Sequence, residues 1–546
     1  MRVAVIGAGC CGITAVKACL EESLDVVCFE RAADSGGLWW YREDAAAGTG
    51  TVMRFTVANT SKEMSCYSDF PPPKEAPIFM NHKQTLRYIR SYAEHFDVPS
   101  RIRYRHEVLR LDKDGTLKVR DLETGREFEE NFDRVLVCTG HHATPLMPDV
   151  PGMDKYKGRI LHSHQYKYAD EGLRGKKAVV VGMANSAVDV AVNLTSVAEQ
   201  VFLSTRRINW ILPMHYKGIP LDVYMFNQMR LWLYSWLPKS YFARLMIRCS
   251  NESWDHKIFN LEIKHDVLSQ GAVINAFVDG KLLDGSVKVR GPPERFTEKG
   301  VVMDGTEEVV DLVVFATGYK SDVPFASDAL PRNGDYFPLY KMMIPPENPN
   351  IVFLGFIDAG ANLLQAFEMQ ARYAVQVFCG KVTLPSVDAM KADIEAVQKA
   401  MKAFYVATPR HALMVDRIAY VDELARAIGV KPNYWKMFFY DPKLYWKLML
   451  SPVLNYQYRL EGPHLWKGAR DAILRFDERM RAPFGDPVKK TENGTRIGTW
   501  ATALAVLATC ACIKTEFGKD IWTNVVEYGR RVSNLTVFSA AFKTPW

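Results

Sequence analysis

The chain has 546 residues, 48% of them hydrophobic and 24% charged, which allows about three or four globular domains and excludes a small or disordered protein. Lysine plus arginine (69) exceed aspartate plus glutamate (62) by only 7, so nucleic acid is not an expected partner. This small excess fits an anionic ligand and an anionic membrane surface equally well. The ten cysteines include no C-x-x-C pair, which argues against a disulfide scaffold or structural zinc. Because an apolar run begins at residue 3, we expect no secretory signal and a reducing compartment.

A first glycine turn follows directly on that apolar run. Gly7, Gly9 and Gly12 form a G-x-G-x-x-G pattern, and an apolar pattern with helical spacing continues from it. A second predicted strand ends at Glu30, 23 residues after Gly7, near the spacing at which an acid accepts the ribose hydroxyls of an adenine dinucleotide. The glycines permit the turn, the approach of backbone to pyrophosphate and close packing of helix on strand, while the helix N-terminus supplies free N–H groups. The sequence therefore predicts a unit that binds a dinucleotide.

A second unit of the same kind begins 175 residues later. An apolar run at 177–181 leads into the turn 182–187, GMANSA, and into another helical pattern. The segment 133–140, DRVLVCTG, is matched by 311–318, DLVVFATG, at an offset of 178. Two similar nucleotide-binding units are therefore predicted, with two ordinary core strands as the alternative explanation of the second match.

The two units differ where each would meet a ribose. The first has Glu30, whereas the second has Thr205 followed by Arg206 and Arg207. Loss of the acid and gain of two guanidinium groups suit a 2′-phosphate, so NADPH is favoured over NADH, with a solvated basic turn as the alternative. Ala184 stands at the middle glycine position, and we expect its methyl group to weaken or displace NADPH.

Several motifs spread over roughly residues 1–480 resemble those of the flavin-containing monooxygenases. They are Gly36-Gly37-Leu38-Trp39, the segment 59–64 (NTSKEM), Tyr156-x-Gly158-x-x-x-His162-x-x-x-Tyr166, the segment 315–319 (FATGY) and Glu368-x-Gln370-x-Arg372. The third is similar to the family fingerprint F-x-G-x-x-x-H-x-x-x-[YF], with Tyr in place of the first Phe. The resemblance implies an α/β fold with two Rossmann-like dinucleotide-binding domains, for FAD and NADPH, an inserted subdomain and a C-terminal membrane-associating tail.

The resemblance also implies the chemistry. NADPH would reduce FAD, dioxygen would add at flavin C4a, and the hydroperoxide would oxygenate a soft nucleophile such as an amine nitrogen or a sulfide sulfur. Small lipophilic substrates are expected, as in xenobiotic metabolism. Because the cofactor supplies the difficult chemistry, the protein must position it and exclude water.

Asn59 resembles the family's active-site asparagine, whose amide would donate to the flavin adduct or to retained NADP⁺; a turn-forming role is the alternative. Thr60 would lie beside it, and Ser186 and Asp189 would contact NADPH, by resemblance alone. The expected FAD-binding residues are Gly7, Ala8, Gly9, Cys10, Cys11, Gly12, Glu30, Gly37, Leu38, Trp39 and Thr60. The expected NADPH-binding residues are Asn185, Ser186, Asp189, Arg206 and Arg207. No metal site is expected, because the paired histidines lack acidic or cysteine partners.

Other functions stay open. Baeyer–Villiger monooxygenases resemble this chain but usually carry Trp where it has Tyr166, which makes oxygenation of ketones the second choice. An NADPH oxidase that releases hydrogen peroxide, or a non-enzymatic membrane protein that kept the fold, would retain the same motifs. A disulfide reductase would need a redox cysteine pair beside the flavin, whereas Cys10 and Cys11 lie in the glycine turn.

The predicted organisation has a discontinuous FAD-binding domain. Its parts are 1–154 and 321–440, the NADP-binding domain is 155–320 with an insertion at about 208–265, and the C-terminal region is 441–546. The insertion is rich in Met, Trp and Tyr, and an interfacial surface and a cover over the substrate are equally favoured. The uncharged segment 497–513 is just short of the about 20 residues that span a bilayer. We therefore expect peripheral or monotopic attachment to the cytosolic face of the endoplasmic reticulum. Association into a homo-oligomer stays open.

Overall fold

Two five-stranded parallel sheets organise the part of the chain that the structure describes. The computed structural model describes residues 1–44, 48–259, 261–332, 336–360, 363–406 and 412–485. In spatial order, the first sheet comprises Ile351–Phe353, Arg134–Val137, Arg2–Ile6, Asp25–Glu30 and Ile102–Tyr104. The second comprises Val287–Arg290, Gln200–Ser204, Lys177–Val181, Leu312–Phe315 and Arg159–His162. The prediction of an α/β fold with two Rossmann-like units is confirmed.

The same arrangement recurs because the same sequence pattern recurs. In each sheet the strand before the glycine turn, Arg2–Ile6 or Lys177–Val181, lies in the centre. All but the first residue of each of these strands is buried, as a sheet covered on both faces requires. The chain continues to one side of the central strand and later returns on its other side. Such a reversal leaves a crevice at the carboxyl ends of the strands, where open α/β sheets bind ligands.

A helix follows each glycine turn, Cys10–Glu21 in the first unit and Asn185–Leu194 in the second. The long helix Leu363–Phe378 packs against Cys10–Glu21. The remaining α-helices among the described residues are His82–His95, Leu221–Met225, Gln228–Ser235, Lys239–Asn251, Val278–Leu283, Val387–Phe404, Arg417–Ala427, Tyr434–Tyr440, Pro442–Leu450, Ala469–Leu474 and Phe476–Arg481.

Shorter strands flank the two main sheets. Two antiparallel sheets have three strands each, His106–Leu111, Thr116–Asp121 and Glu127–Asn131, and Arg295–Phe296, Gly300–Met303 and Thr306–Val309. Two-stranded pairs join Ile211–Leu212 with Val273–Ile274, His215–Tyr216 with Ile219–Pro220, and Thr144–Pro145 with Tyr319–Lys320.

The two connections between the units pair with each other. Thr144–Pro145, on the outgoing connection, is antiparallel to Tyr319–Lys320 on the returning one. His162 Nε2 donates to the carbonyl oxygen of Gly318 at 3.0 Å, and its Nδ1 accepts the backbone N–H of His164 at 3.1 Å. Burial lowers the pKa of His162 to about 4, so the ring is neutral near pH 7. A neutral, oriented histidine thus fastens the returning connection to the second sheet.

The C-terminal part of the described chain packs on the first unit. Tyr456 and Tyr458 belong to the same hydrophobic core as Val3 and Val5. Next to them, the side chain of Arg459 is fully buried and pairs with three carboxylates, those of Glu21, Asp69 and Glu368. Since a buried guanidinium is stable only when it is paired, this cluster fixes where the C-terminal segment lies.

Among the described residues, no helix is both long and apolar enough to cross a bilayer. The predicted apolar segment 497–513 lies outside the described residues.

Candidate functional site

A cavity of about 1300 Å³ opens between the two units, which exceeds the about 300–1,000 Å³ usual for one small-ligand pocket. It is lined by the first glycine turn, by loops that follow the first two strands, by the start of helix Asn185–Leu194 and by the insertion. The predicted site residues in its wall are Gly7, Gly9, Cys10, Cys11, Glu30, Gly37, Leu38, Trp39, Asn59, Thr60 and Asn185. The predicted residues Ala8, Gly12, Ser186, Asp189, Arg206 and Arg207 are described but are not part of this wall.

The first glycine turn leaves room that only glycine can provide. A Cβ atom on Gly12 would lie 1.8 Å from the carbonyl oxygen of Gly7, and one on Gly37 would lie 2.9 Å from Cα of Gly9. The helix Cys10–Glu21 starts here without a side-chain cap and without an acidic residue in its first turn. Its first N–H groups and the positive end of its dipole are therefore free to meet a pyrophosphate, so these residues fit FAD.

Glu30 is oriented at the end of its strand. One of its carboxylate oxygens accepts the N–H of Ala8 at 2.6 Å, and the other accepts the N–H of Ala32 at 2.8 Å. A carboxylate offers about four acceptor positions, so two remain for ribose hydroxyls. The backbone thus holds this acid where a dinucleotide ribose would require it.

Asn59 lies half-buried in the cavity wall. Its side-chain amide makes no hydrogen bond to any described residue, whereas the hydroxyl of the neighbouring Thr60 is paired with that of Ser65. The backbone before it is fixed, because the N–H of Ala58 donates to the carbonyl of Met80 at 2.8 Å. An amide with two donors and one acceptor is therefore held at the cavity and is available to a ligand.

In the second unit, Asn185 reaches the cavity and Asp189 does not. Asn185 Oδ1 accepts the N–H of Ile274 at 2.9 Å, which fixes the side chain at the helix start. The Asp189 carboxylate accepts from Asn275 Nδ2 at 2.8 Å, and burial raises its pKa to about 6. Asp189 therefore orders the segment around Asn275.

The two arginines predicted for the 2′-phosphate follow strand Gln200–Ser204 and are exposed. The hydroxyl of Thr205 donates to the carbonyl of Arg207 at 2.8 Å and accepts its N–H at 3.2 Å, which closes the turn. Arg206 and Arg207 thus lie at the carboxyl edge of the second sheet, outside the cavity wall. Ala184 is the extended residue that precedes helix Asn185–Leu194, and its side chain makes no capping hydrogen bond.

Comparison with known proteins decides the family. A model for flavin-binding monooxygenase-like proteins matches residues 1–515. The chain is 38% identical over 530 residues to flavin-containing monooxygenase 5 of Rattus norvegicus, covering 94% of this chain and 99% of the relative. It is 37% identical over 521 residues to dimethylaniline monooxygenase (N-oxide-forming) 2 of Rattus norvegicus, covering 93% and 97%. The chain belongs to the flavin-containing monooxygenase family.

The fold agrees with this membership. S-allyl-L-cysteine S-oxygenase from Allium sativum superposes with a TM-score of 0.61 at 22% identity, covering 88% of this chain and 98% of that one. The predicted flavoprotein monooxygenase activity, with FAD and NADPH as cofactors and dioxygen as co-substrate, is confirmed at the level of the family.

In this monooxygenase the insertion forms one wall of the cavity. Helices Leu221–Met225 and Lys239–Asn251 contribute to the wall the side chains Leu221, Asp222, Met225, Phe242 and Met246. Other aromatic side chains of the insertion face solvent, such as Trp232, 50% exposed, and Trp236, 55% exposed. One side of the insertion therefore covers the cavity while another presents aromatic rings to the surroundings.

The family fingerprint, Tyr156 to Tyr166, runs across the edge strand Arg159–His162 of the second sheet and has packing roles. The hydroxyl of Tyr156 donates to the carbonyl of Val310 at 2.8 Å, and its ring lies where a Cβ on Gly158 would be, 2.2 Å from the phenol oxygen. The hydroxyl of Tyr166 donates to Asn193 at 2.8 Å. Together with the bond from His162 to Gly318, these contacts fix the strand Arg159–His162 and its flanking residues within the second unit.

Contacts from the C-terminal segment hold the chain that follows Asn59, and sequence reasoning missed them. Tyr456 donates to Glu63 at 2.7 Å, and Arg459 donates to the hydroxyl of Ser68 at 2.7 Å and to Glu368 at 2.9 Å. These partners are up to 393 residues apart in the chain, so no local pattern could reveal them. Glu368 was singled out only because it belongs to a family motif.

Proposed function

We propose that this monooxygenase transfers one oxygen atom of dioxygen to the nitrogen of small lipophilic amines or to the sulfur of sulfides. The observation that supports the proposal is the unpaired amide of Asn59 in the wall of a cavity shared by the glycine turn and the insertion. Apolar side chains of the insertion, such as Leu221 and Met225, suit lipophilic substrates and keep water away.

Separate groups of residues would bind the flavin and stabilise the reacting oxygen. FAD, when bound, supplies the oxygen-activating chemistry. The glycine turn and the helix start at Cys10 would hold its pyrophosphate, and Glu30 would accept ribose hydroxyls. The amide of Asn59 would donate a hydrogen bond toward the reacting oxygen, where a neutral donor stabilises charge without supplying a proton.

NADPH would lie along the second unit. Arg206 and Arg207 would bind the 2′-phosphate, and Asn185, Ser186 and Asp189 would meet the rest of the molecule near the helix start. The exposed guanidinium groups at the sheet edge support the first assignment. The second rests on the position of Asn185 in the cavity wall.

The replacement Asn59→Leu tests the central role, because leucine has similar size and no donor. Loss of a hydrogen bond to a charged group costs about 1.5–3 kcal/mol, so product per NADPH should fall roughly 10- to 100-fold while hydrogen peroxide rises. The measurement uses N,N-dimethylaniline and methyl phenyl sulfide as substrates. Asn131→Leu, an exposed asparagine outside the cavity wall, is the matched control.

An unchanged product yield in Asn59→Leu would remove Asn59 from the mechanism. A wild-type protein that oxygenates a ketone to an ester, and neither of the two probe substrates, would favour the Baeyer–Villiger alternative instead. Hydrogen peroxide as the main product with all substrates would favour the NADPH oxidase.

We further propose peripheral attachment to a membrane, at the cytosolic face of the endoplasmic reticulum. Two helix pairs carry exposed rings that we name the aromatic surface: Trp232, Trp236, Tyr241, Trp435, Phe439, Tyr440 and Trp446. The pairs adjoin, because Asn227 Nδ2 donates to the carbonyl of Leu450 at 2.7 Å. Exposed Lys239 and Lys443 accompany the rings, and basic residues beside Trp and Tyr suit an anionic interface.

Sedimentation with vesicles tests this attachment. The full chain should bind vesicles that contain anionic phospholipid, and the double variant Trp435→Ser with Phe439→Ser should bind them several-fold less, because these side chains are 76% and 72% exposed. Phe277→Ser with Leu283→Ser, two exposed apolar residues of the second unit, is the control. Equal binding by both double variants would contradict the proposed surface.

A further inference from the structure

A buried carboxylate connects the insertion to the loop that carries Asn59. Asp222 lies in the first turn of helix Leu221–Met225 and is 7% exposed. Its Oδ2 accepts both the N–H of Ser61 at 2.7 Å and the hydroxyl of Ser61 at 2.8 Å. Its Oδ1 accepts the N–H of Val223 at 2.9 Å, so both oxygens are occupied. One carboxylate thus fixes the start of its own helix and, 161 residues away in the chain, Ser61.

Ser61 is two residues from Asn59 and has no exposed surface. The next residue is also fixed, since the N–H of Lys62 donates to the carbonyl of Ile78 at 2.8 Å. Asp222 and Asn59 both line the cavity, whereas Ser61 lies behind the wall. The double hydrogen bond therefore joins the insertion to the opposite side of the cavity, two residues from the unpaired amide of Asn59.

The charge of Asp222 has no ion-pair partner at hydrogen-bond distance among the described residues. Burial raises the pKa of its carboxyl group, while the hydrogen bonds from Ser61 and the positive charge of Arg417 act in the opposite direction. Arg417 itself donates to Gln365 at 2.7 Å and stacks on the ring of Phe226 at 4.7 Å. A buried charge is costly unless it is hydrogen-bonded, and the hydrogen bonds of Asp222 come from Ser61 and from the first turn of helix Leu221–Met225.

We propose that Asp222 is a positioning residue that closes the insertion onto the Asn59 loop, so that the amide is held in place and water is kept from the cavity. This inference rests on the proposed role of Asn59. A carboxylate suits the task because a single acceptor oxygen takes the backbone and side-chain donors of the same serine. The contact would limit hydrogen peroxide release rather than bind the substrate.

The test compares two replacements of similar size in the FAD-loaded full chain. Asp222→Leu removes both acceptors, whereas in Asp222→Asn an amide oxygen at the position of Oδ2 can still accept the N–H and the hydroxyl of Ser61, and only the bond from the N–H of Val223 is lost. Hydrogen–deuterium exchange of the peptide that contains Ser61 reports the contact, and the ratio of product to hydrogen peroxide reports its consequence. Only the second readout depends on activity.

In Asp222→Leu, exchange at Ser61 should rise by about tenfold or more and the fraction of NADPH lost to hydrogen peroxide should rise several-fold, with the substrate KM little changed. Asp222→Asn should stay close to the wild type in the exchange at Ser61 and in the fraction of NADPH lost to hydrogen peroxide. Unchanged exchange would show that the contact does not hold the loop, and raised exchange with an unchanged peroxide fraction would show that the contact does not matter for coupling. Either result overturns the proposal.

Ser61 gives a second pair of variants in case Asp222→Leu does not fold. Ser61→Ala keeps the backbone donor and loses the hydroxyl, so peroxide release should rise less than in Asp222→Leu, and Ser61→Thr should restore coupling. Equal coupling in Ser61→Ala and Ser61→Thr would overturn the proposal. If the wild type gives no oxygenated product at all, the proposed function fails, while hydrogen exchange still decides whether the contact holds the loop.

Discussion

The two glycine turns have the same steric requirement at their first position and differ at their third. In each, a Cβ on the first glycine would lie against a carbonyl oxygen at the end of the neighbouring strand, 2.9 Å away for Gly7 and 2.6 Å for Gly182. The third position differs, because a Cβ on Gly12 would lie 1.8 Å from a carbonyl oxygen, whereas Ala187 places its methyl group in the core with no exposed surface. The helix therefore packs more closely on the first turn than on the second.

The first turn is also more enclosed by the rest of the chain than the second. The first is enclosed by Leu363–Phe378 and by the C-terminal segment, whose residues share its hydrophobic core. The second presents Arg206 and Arg207 to solvent. The comparison predicts that the first unit retains FAD through purification and that the second exchanges NADPH with the medium.

The largest effect is expected from Gly12→Ala. The added methyl group would overlap the carbonyl of Gly7, and since the helix cannot shift without disturbing the core, the purified protein should lose most of its bound flavin. Flavin absorbance per mole of protein is the measurement. Ala187→Gly, at the corresponding position of the second unit, should keep its flavin; equal loss in both variants would mean that the turns do not differ as described.

The arginine pair tests the other half of the comparison. Arg206→Ala with Arg207→Ala should raise the KM for NADPH about 100-fold, because two charge-assisted hydrogen bonds at the lower end of the range of about 1.5–3 kcal/mol contribute about 3 kcal/mol together, and should leave the KM for NADH nearly unchanged. Steady-state kinetics with both nucleotides measures this. Arg159→Ala with Arg174→Ala, two exposed arginines of the same unit, is the control. Parallel changes for NADPH and NADH would refute the phosphate assignment.

His162, which joins the units, gives a pH dependence. Its pKa is about 4 in the folded protein and about 6.5 unfolded, so the unfolded state binds the extra proton as pH falls. The contribution of the neutral His162 ring to the free energy of unfolding is fully present above about pH 6.5. It is lost toward pH 4, a change of about 3 kcal/mol. Unfolding by urea at several pH values should show a shallower decline in His162→Gln than in the wild type. Identical slopes would place the ring in solvent.

The smallest effect is expected from Ala184→Gly. Removal of the methyl group from the middle glycine position should tighten NADP⁺ binding by about threefold, because the backbone can approach the pyrophosphate more closely. Calorimetric titration measures the Kd. Weaker binding by the variant would show that the alanine does not obstruct the nucleotide.

The fold was predictable because its signals are local. Gly7, Gly12 and Glu30 lie within one strand–turn–helix–strand segment, and the repeat of that segment revealed the second unit. The tie between Asp222 and Ser61 could not be predicted, because either residue alone looks like an ordinary surface residue of a loop or helix. The bond between Tyr456 and Glu63 was hidden for the same reason, since burial of both groups depends on packing between distant parts of the chain.

The most direct test of the account is the reaction under ¹⁸O₂. The purified, flavin-loaded protein with NADPH and methyl phenyl sulfide should yield sulfoxide that carries one ¹⁸O atom, in an amount close to the NADPH consumed. Sulfoxide without label, or NADPH oxidation that ends entirely in hydrogen peroxide, would contradict oxygen transfer in the cavity between the two units.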